Sequence, residues 1–258
     1  MNGLKLCNFR RDILLLSRLT VLDLSNNEIE KIPHEFGRMT NLCELILSNN
    51  NLGVPNISDW RWLLGLQIIR TLKLLDLSGN KLKGLPNDIW KLRNLVTLKL
   101  YNNELERIPA SLGRLKNLRY LTLSQNILKS LPCSLMQCRF ELLDISMNKF
   151  ENRETLMKPK LSSQWDFCIG SLLHIAAKVV LKYNIYYAPN IIPRTLTETL
   201  DNANLCVCGR PVLNNIFIIK QFDCRDCFRS ATITNDNVNH ALDFECYFCS
   251  SKCLMKYN

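Results

Sequence analysis

Residues 95–105 read LVTLKLYNNEL, and the same spacing of apolar residues around one asparagine returns at 118–128 as LRYLTLSQNIL. In the pattern L-x-x-L-x-L-x-x-N-x-L, the first copy uses Leu95, Leu98, Leu100, Asn103 and Leu105, the second Leu118, Leu121, Leu123, Asn126 and Leu128. Toward the N-terminus the pattern recurs at Leu72, Leu75, Leu77, Asn80 and Leu82, at Leu42, Leu45, Leu47, Asn50 and Leu52, and at Leu19, Leu22, Leu24, Asn27 and Ile29. Toward the C-terminus a weaker copy uses Phe140, Leu143, Ile145, Asn148 and Phe150. Successive asparagines are 23, 30, 23, 23 and 22 residues apart, so only the second unit is irregular.

A fixed period of this length is the mark of a solenoid. Alternating leucines turn one side of a short strand inward, and an asparagine side chain can satisfy backbone groups where the chain bends. Stacked identical turns should therefore carry a buried asparagine ladder. Ile32-Pro33, Leu85-Pro86, Ile108-Pro109 and Leu131-Pro132 lead each unit onto its convex side. One unit cannot bury its apolar face alone, and six suffice for a stable stack. The chain therefore reads as α/β, a leucine-rich repeat horseshoe over 19–150, preceded by an N-terminal lead-in at 1–18 that matches no repeat and has the look of a truncation. The longer second unit carries Trp60 and Trp62, expected to pack on the convex side.

Binding in such folds falls on the concave strand face. Its outward positions include Lys99, Tyr101 and Tyr120, an aromatic and cationic group suited to a protein substrate.

A chain of 258 residues with 47% hydrophobic and 22% charged residues has ordinary globular composition. No apolar run reaches the roughly 18 residues of a membrane span, and the four apolar residues 13–16 are too few for a signal peptide. A reducing compartment is expected, where the twelve cysteines serve as metal ligands or free thiols. The net charge of +10 raises nucleic-acid binding, but residues 201–258 hold six Lys/Arg against six Asp/Glu. A neutral tail is a poor match for phosphates, so direct nucleic-acid binding is disfavoured. The three histidines, His34, His174 and His240, lie in unrelated contexts, and no nucleophile–base set stands out.

Seven cysteines crowd the segment 205–258: Cys206-x-Cys208, Cys224-x-x-Cys227, Cys246 and Cys249-x-x-x-Cys253. Two close pairs brought together make a tetrahedral thiolate site for structural Zn2+. Spacing leaves two ligand sets open. One is Cys206, Cys208, Cys249 and Cys253; the other replaces the first pair by Cys224 and Cys227. A second ion on Cys246 and His240 has little behind it.

Between the repeats and the cysteines, 151–204 reads as a helical segment with two apolar stripes. Leu172, Ala176 and Val179/Val180 share one helical face behind Ser171, a good N-cap. Pro193 fits a first helical position, with Leu196 and Leu200 stacked a turn apart beyond it and Ile192 just ahead. Apolar stripes ordinarily belong to a core. Here, however, Ser171-Leu172-x-x-x-Ala176-x-x-x-Val180 resembles the elongin-binding box of cullin-ligase substrate receptors, with alanine where cysteine is more usual. Ile192-Pro193-x-x-Leu196-x-x-x-Leu200 resembles the box that selects cullin-2, and it follows in the expected order.

With Leu205-Cys206-Val207-Cys208-Gly209-Arg210 and Tyr247-Phe248-Cys249-Ser250, the order of parts over 19–258 resembles the leucine-rich repeat protein 1 family, substrate receptors of cullin-2 RING ubiquitin ligases. The resemblance implies a non-catalytic adaptor. Elongin B/C would bind at Ser171, Leu172, Ala176 and Val180, and cullin-2 with its RING subunit at Ile192, Pro193, Leu196 and Leu200. It implies nuclear work on chromatin-bound substrates such as the replicative helicase, and it favours the ligand set Cys206, Cys208, Cys249 and Cys253. The family carries a further domain ahead of the repeats that has no counterpart in this sequence. The other function these repeats allow is a scaffold for small GTPases.

Overall fold

The computed structural model describes residues 2–7, 11–54, 59–150, 172–183, 185, 187, 190–213, 217–235 and 241–256. Each of the first five repeats contributes a three-residue strand, then a 3-10 turn on the opposite side; the sixth contributes its strand. The strands are β1 (Val21–Asp23), β2 (Glu44–Ile46), β3 (Leu74–Asp76), β4 (Thr97–Lys99), β5 (Tyr120–Thr122) and, after a short β6 (Leu131–Pro132) on the convex side, β7 (Leu142–Asp144). All pair in parallel and in register, Leu75 beside Leu98 and Leu98 beside Leu121, so pattern leucines of successive units stack in columns. These columns are sealed: Leu45, Leu75, Leu98, Leu121 and Leu143 are fully buried.

The asparagine ladder is present. Asn103 Nδ2 donates to the carbonyls of Leu100 (3.1 Å) and, one repeat earlier, Leu77 (3.0 Å), while its Oδ1 accepts from the Leu82 N–H (3.1 Å). Asn50, Asn80, Asn126 and Asn148 repeat this bonding. The residue ahead of each ladder asparagine has positive φ: Asn26, Asn49, Gly79, Asn102, Gln125 and Met147. That tight turn favours asparagine and glycine, as most of the copies have.

The lead-in departs from the expectation that it matches no repeat. The N–H groups of Leu4 and Leu6 donate to Asn27 Oδ1 as Ile29 does to Asn50, and Asn26 Nδ2 reaches Asn2 as Asn49 reaches Asn26. A 3-10 turn at Arg11–Leu15, with Ile13 buried, stands 23 residues before that at His34–Arg38. The backbone thus carries the repeat past Leu19 although Leu4 stands where the ladder asparagine would. In the long second unit, Trp62 is buried edge-on against Phe36 (centroids 5.8 Å apart) and Trp60 is half-buried beside it. The added residues form a 3-10 turn (Arg61–Leu64) and helix α1 (Leu66–Thr71) on the convex side, as the sequence led us to expect.

After the repeats come α2 (Leu172–Lys182), α3 (Arg194–Asp201), β8 (Asn204–Leu205), β9 (Pro211–Val212), β10 (Ile218–Asp223), α4 (Cys224–Cys227), β11 (Thr232–Thr234), β12 (Ala241–Cys246) and α5 (Ser251–Lys256). The cysteine-rich segment is not a separate knot. Strand β11 pairs in parallel with β7, Thr232 beside Leu142, and becomes the seventh strand of the repeat sheet. Strand β12 pairs antiparallel with β10 and in parallel with β6. Phe228 lies 5.8 Å from Phe140 and 6.2 Å from Phe244, so the last repeat's apolar face continues into the tail as one core. An open solenoid end exposes both apolar side chains and unpaired strand groups, and the tail covers both. Among the described residues no helix is long and apolar enough to cross a membrane.

Candidate functional site

Four thiols meet at the junction of the tail's elements. Cys206 and Cys208 sit in the turn between β8 and β9. The Cys206 N–H donates to the Arg210 carbonyl (2.8 Å) and the Gly209 N–H to the Cys206 carbonyl (2.8 Å), with Gly209 at φ 84°. That positive φ is glycine territory, and it curls both sulfurs to one side. Cys249 follows β12, where the Val207 N–H donates to the Tyr247 carbonyl (3.1 Å), locking the two segments together. Cys253 lies in α5, its N–H held by Ser250 Oγ at 3.2 Å.

Cys206 Sγ lies 3.6 Å from Cys253 Sγ, Cys208 Sγ 3.6 Å from Cys249 Sγ, and all four sulfurs lie within 4.8 Å of one another. Burial pushes the Cys206 thiol up and Cys253 up to about 11. Cys208 is lowered: burial opposes its ionisation, but the backbone N–H of Arg210 and the neighbouring thiols outweigh it. Four sulfurs this close repel one another once ionised, so the cluster can hold a metal ion, whose charge would offset that repulsion.

The other ligand set is not brought together. Among the described residues only the Cys206, Cys208, Cys249 and Cys253 group assembles. Cys224 and Cys227 sit on α4, both thiols raised by burial, Cys227 up to about 12. Cys246 is sealed in the core, its thiol raised by a hydrogen bond with Cys133 and by burial. His240, its suggested companion, lies outside the described residues.

Helix α2 turns Leu172 (82% exposed), Leu173, Ile175, Ala176 and Val179 to solvent. Among its described side chains Ala177 is the buried one, with Val180 and Leu181 half-buried. Of the elongin-box positions, then, Leu172 and Ala176 are open, Val180 half so, and Ser171 lies outside the described residues. Helix α3 differs. Pro193 is exposed and Ile192 and Leu196 are half-buried, but Leu200 is 4% exposed and belongs to the interior with Thr197. It cannot be offered on the surface as the helical spacing led us to expect, because α3 is clamped to the convex arc. Lys91 Nζ holds Asp201 at 2.9 Å, Asn87 donates to Asn202 at 2.8 Å, and Arg114 donates to the Ala203 carbonyl at 2.8 Å. Sequence reading missed these partners because each lies about a hundred residues away and none has a periodic signature.

On the concave face Tyr101 and Tyr120 are exposed, as expected, but two of the three residues singled out have partners. Lys99 Nζ lies 3.5 Å from Asp76 Oδ2, and the Tyr120 hydroxyl donates to the Glu141 carboxylate.

A family model for the leucine rich repeat matches residues 8–52 and 70–128. The mouse protein "Leucine-rich repeat protein 1" is 35% identical over 287 aligned positions, covering 95% of this chain and 56% of that protein. The human protein of the same name is 39% identical over 75 residues, 29% of this chain and 17% of its own length. The rice "Plant intracellular Ras-group-related LRR protein 8" is 42% identical over 79 residues, 31% of this chain and 20% of its own. A solved LRR protein from Leptospira interrogans superposes with a TM-score of 0.53 at 32% identity, covering 58% of this chain and 37% of that one. The chain thus spans about half the length of the mouse relative and less of the others. Its fold is that of a leucine-rich repeat stack, the repeat model matches part of the chain, and along nearly its whole length the chain is similar to leucine-rich repeat protein 1.

Proposed function

We propose that the chain is a substrate-receptor subunit of a cullin-2 RING ubiquitin ligase. Elongin B/C docks on α2, cullin-2 on the segment from Ile192 into α3, and a protein substrate on the concave face around Tyr101. The observation that carries this reading is the unburied apolar face of α2, with Leu172 82% exposed in a helix whose sequence resembles an elongin box. Water-exposed leucine, isoleucine and valine side chains on one helix are a docking surface. Similarity to leucine-rich repeat protein 1 along 95% of the chain supports the same reading. The chemistry would reside in other subunits. This one would raise the effective concentration of substrate lysines near the charged ubiquitin carrier. Nuclear location and a replicative-helicase substrate are parts of this proposal.

The thiol cluster is proposed to hold structural Zn2+. Sulfurs about 2.3 Å from a central zinc in a tetrahedron lie about 3.8 Å apart, close to the two 3.6 Å separations. Four protein ligands leave no position open for substrate, so the ion's contribution is to staple β8–β9, β12 and α5 into the cap.

The second reading, a scaffold for small GTPases, draws on the similarity of the repeats alone to the rice Ras-group-related protein. Co-purification separates the two. Elongin B/C should accompany the wild-type chain and be lost with Leu172→Asp, while circular dichroism shows the repeats unchanged. If the variant keeps elongin, or the wild type never binds it, the ligase reading fails.

A further inference from the structure

Between the convex arc, α2 and the β8–β9 turn lies a cleft of about 390 Å³, within the range of roughly 300–1,000 Å³ usual for small-ligand sites. Five cations line it: Arg93, Arg114, Lys116, Lys182 and Arg210; no Asp or Glu does. Arg93 and Arg114 both lie against the Trp90 ring, 5.4 and 4.9 Å from its centroid. Arg114 spends one nitrogen on the Ala203 carbonyl, and its Nη1 is buried with no hydrogen-bond partner. The nearest carboxylates are already engaged: Lys91 holds both Asp88 (2.8 Å) and Asp201 (2.9 Å). Among the described residues none of the five cations forms an ion pair.

Like charges gathered from three separate segments repel one another, and burial raises the penalty. Desolvation lowers the pKa of both Arg114 and Lys116, and at Arg114 it outweighs the opposing pull of Tyr187 and Asp201. A compact anion with several acceptor oxygens would remove that repulsion and accept from guanidinium and ammonium groups at once. We propose that this cleft is a binding site for a small polyphosphate, which ties α2, through Lys182, to the repeats, through Arg93, Arg114 and Lys116, and to the thiol-bearing turn, through Arg210. A multiply phosphorylated inositol, free or as a lipid headgroup, has this chemistry. Nucleic acid is disfavoured, because the cations surround one compact cleft rather than track along a face. The cleft shares Val180 with the proposed elongin surface, so the chain is tested without elongin.

The test is calorimetric titration of the full chain with inositol hexakisphosphate, with citrate as the phosphate-free polyanion. Vesicles with and without phosphatidylinositol bisphosphate form a second arm. Saturable one-to-one binding is expected, much tighter than citrate, with slower amide exchange in α2 on addition. The double variant Arg93→Gln/Lys182→Gln changes two exposed side chains and leaves the core intact, and it should weaken binding by about tenfold or more. Lys81→Gln/Lys83→Gln, which removes two exposed cations outside the cleft, should have no effect. Binding of the soluble probe assigns the site to a free polyphosphate, and binding to bisphosphate vesicles alone assigns it to a headgroup. Failure in both arms, or equal losses in the two double variants, overturns the site.

Discussion

Cys206 Sγ and Cys253 Sγ, 47 residues apart in the chain, lie 3.6 Å apart in the fold. That contact ties the tail together over the last repeats, because Cys206 follows β8, which lies against the convex turns at Ala110–Arg114 and Cys133–Gln137, while Cys253 lies on α5. Purified chain should carry one zinc per molecule by metal analysis. Cys206→Ser and Cys253→Ser should lose it, whereas Cys224→Ser should keep it. Chelation should lower the melting temperature by about 5 °C or more, since metal binding is folding free energy here. A metal-free protein with an unchanged melting temperature would rule the site out.

Asn103→Ala should cost about 2–3 kcal/mol in denaturant unfolding, because it strands the buried Leu82 N–H and the Leu77 and Leu100 carbonyls. Asn148, half-buried at the weaker last copy, should cost less on the same substitution.

Met147 sits at φ 53° where three other copies of the repeat have asparagine. Met147→Asn keeps the exposed position and relieves the left-handed penalty. It should stabilise the fold by about 1 kcal/mol, a rise of about 2–4 °C in melting temperature. No gain would mean that the Met147 side chain contributes packing that outweighs the turn.

Leu200→Asp should destabilise the whole chain by about 3 kcal/mol or more, since it places a carboxylate in the interior. Any loss of cullin-2 binding in that variant would therefore reflect unfolding. A specific effect on cullin-2 is to be sought at the exposed Pro193, where Pro193→Asp should leave the unfolding midpoint nearly unchanged. Equal stability of wild type and Leu200→Asp would contradict the placement of α3.

Lys91→Met should loosen α3 by about 1–2 kcal/mol, leaving Asp201 half-buried without its cation. In the folded chain the Lys91 ammonium is partly buried, which lowers its pKa, but the hydrogen bonds with Asp88 and Asp201 prevail and raise it above 10.5. A raised amine pKa gives a contribution fully present below the unfolded value and lost as pH rises through the folded one. Amide exchange of α3 in the wild type should therefore stay slow at neutral pH and accelerate in strong alkali. The variant should lack that alkaline step.

The repeats were legible in the sequence because their signal is local and recurs: Leu95, Leu98, Leu100 and Asn103 fix a strand and turn, and the next copy repeats the choice. The lead-in was not, since Leu4 occupies the asparagine position and only its backbone joins the ladder. Nor was the cap. Thr232–Thr234 is three residues long, too short for alternation to identify it as a partner of β7. Cysteine spacing left two ligand sets open; the family resemblance favoured Cys206, Cys208, Cys249 and Cys253, and those are the four that meet.

By itself, then, the sequence determined a stack of like units and the buried asparagines that bind each to the last, because nearest-neighbour contacts follow from a period written in the chain. Tertiary structure alone decided which four thiols converge, that Leu200 faces inward while Leu172 faces water, and that the tail completes the sheet. Those outcomes depend on segments far apart in sequence competing for the same apolar surface and the same charges, and no local pattern records which of them wins.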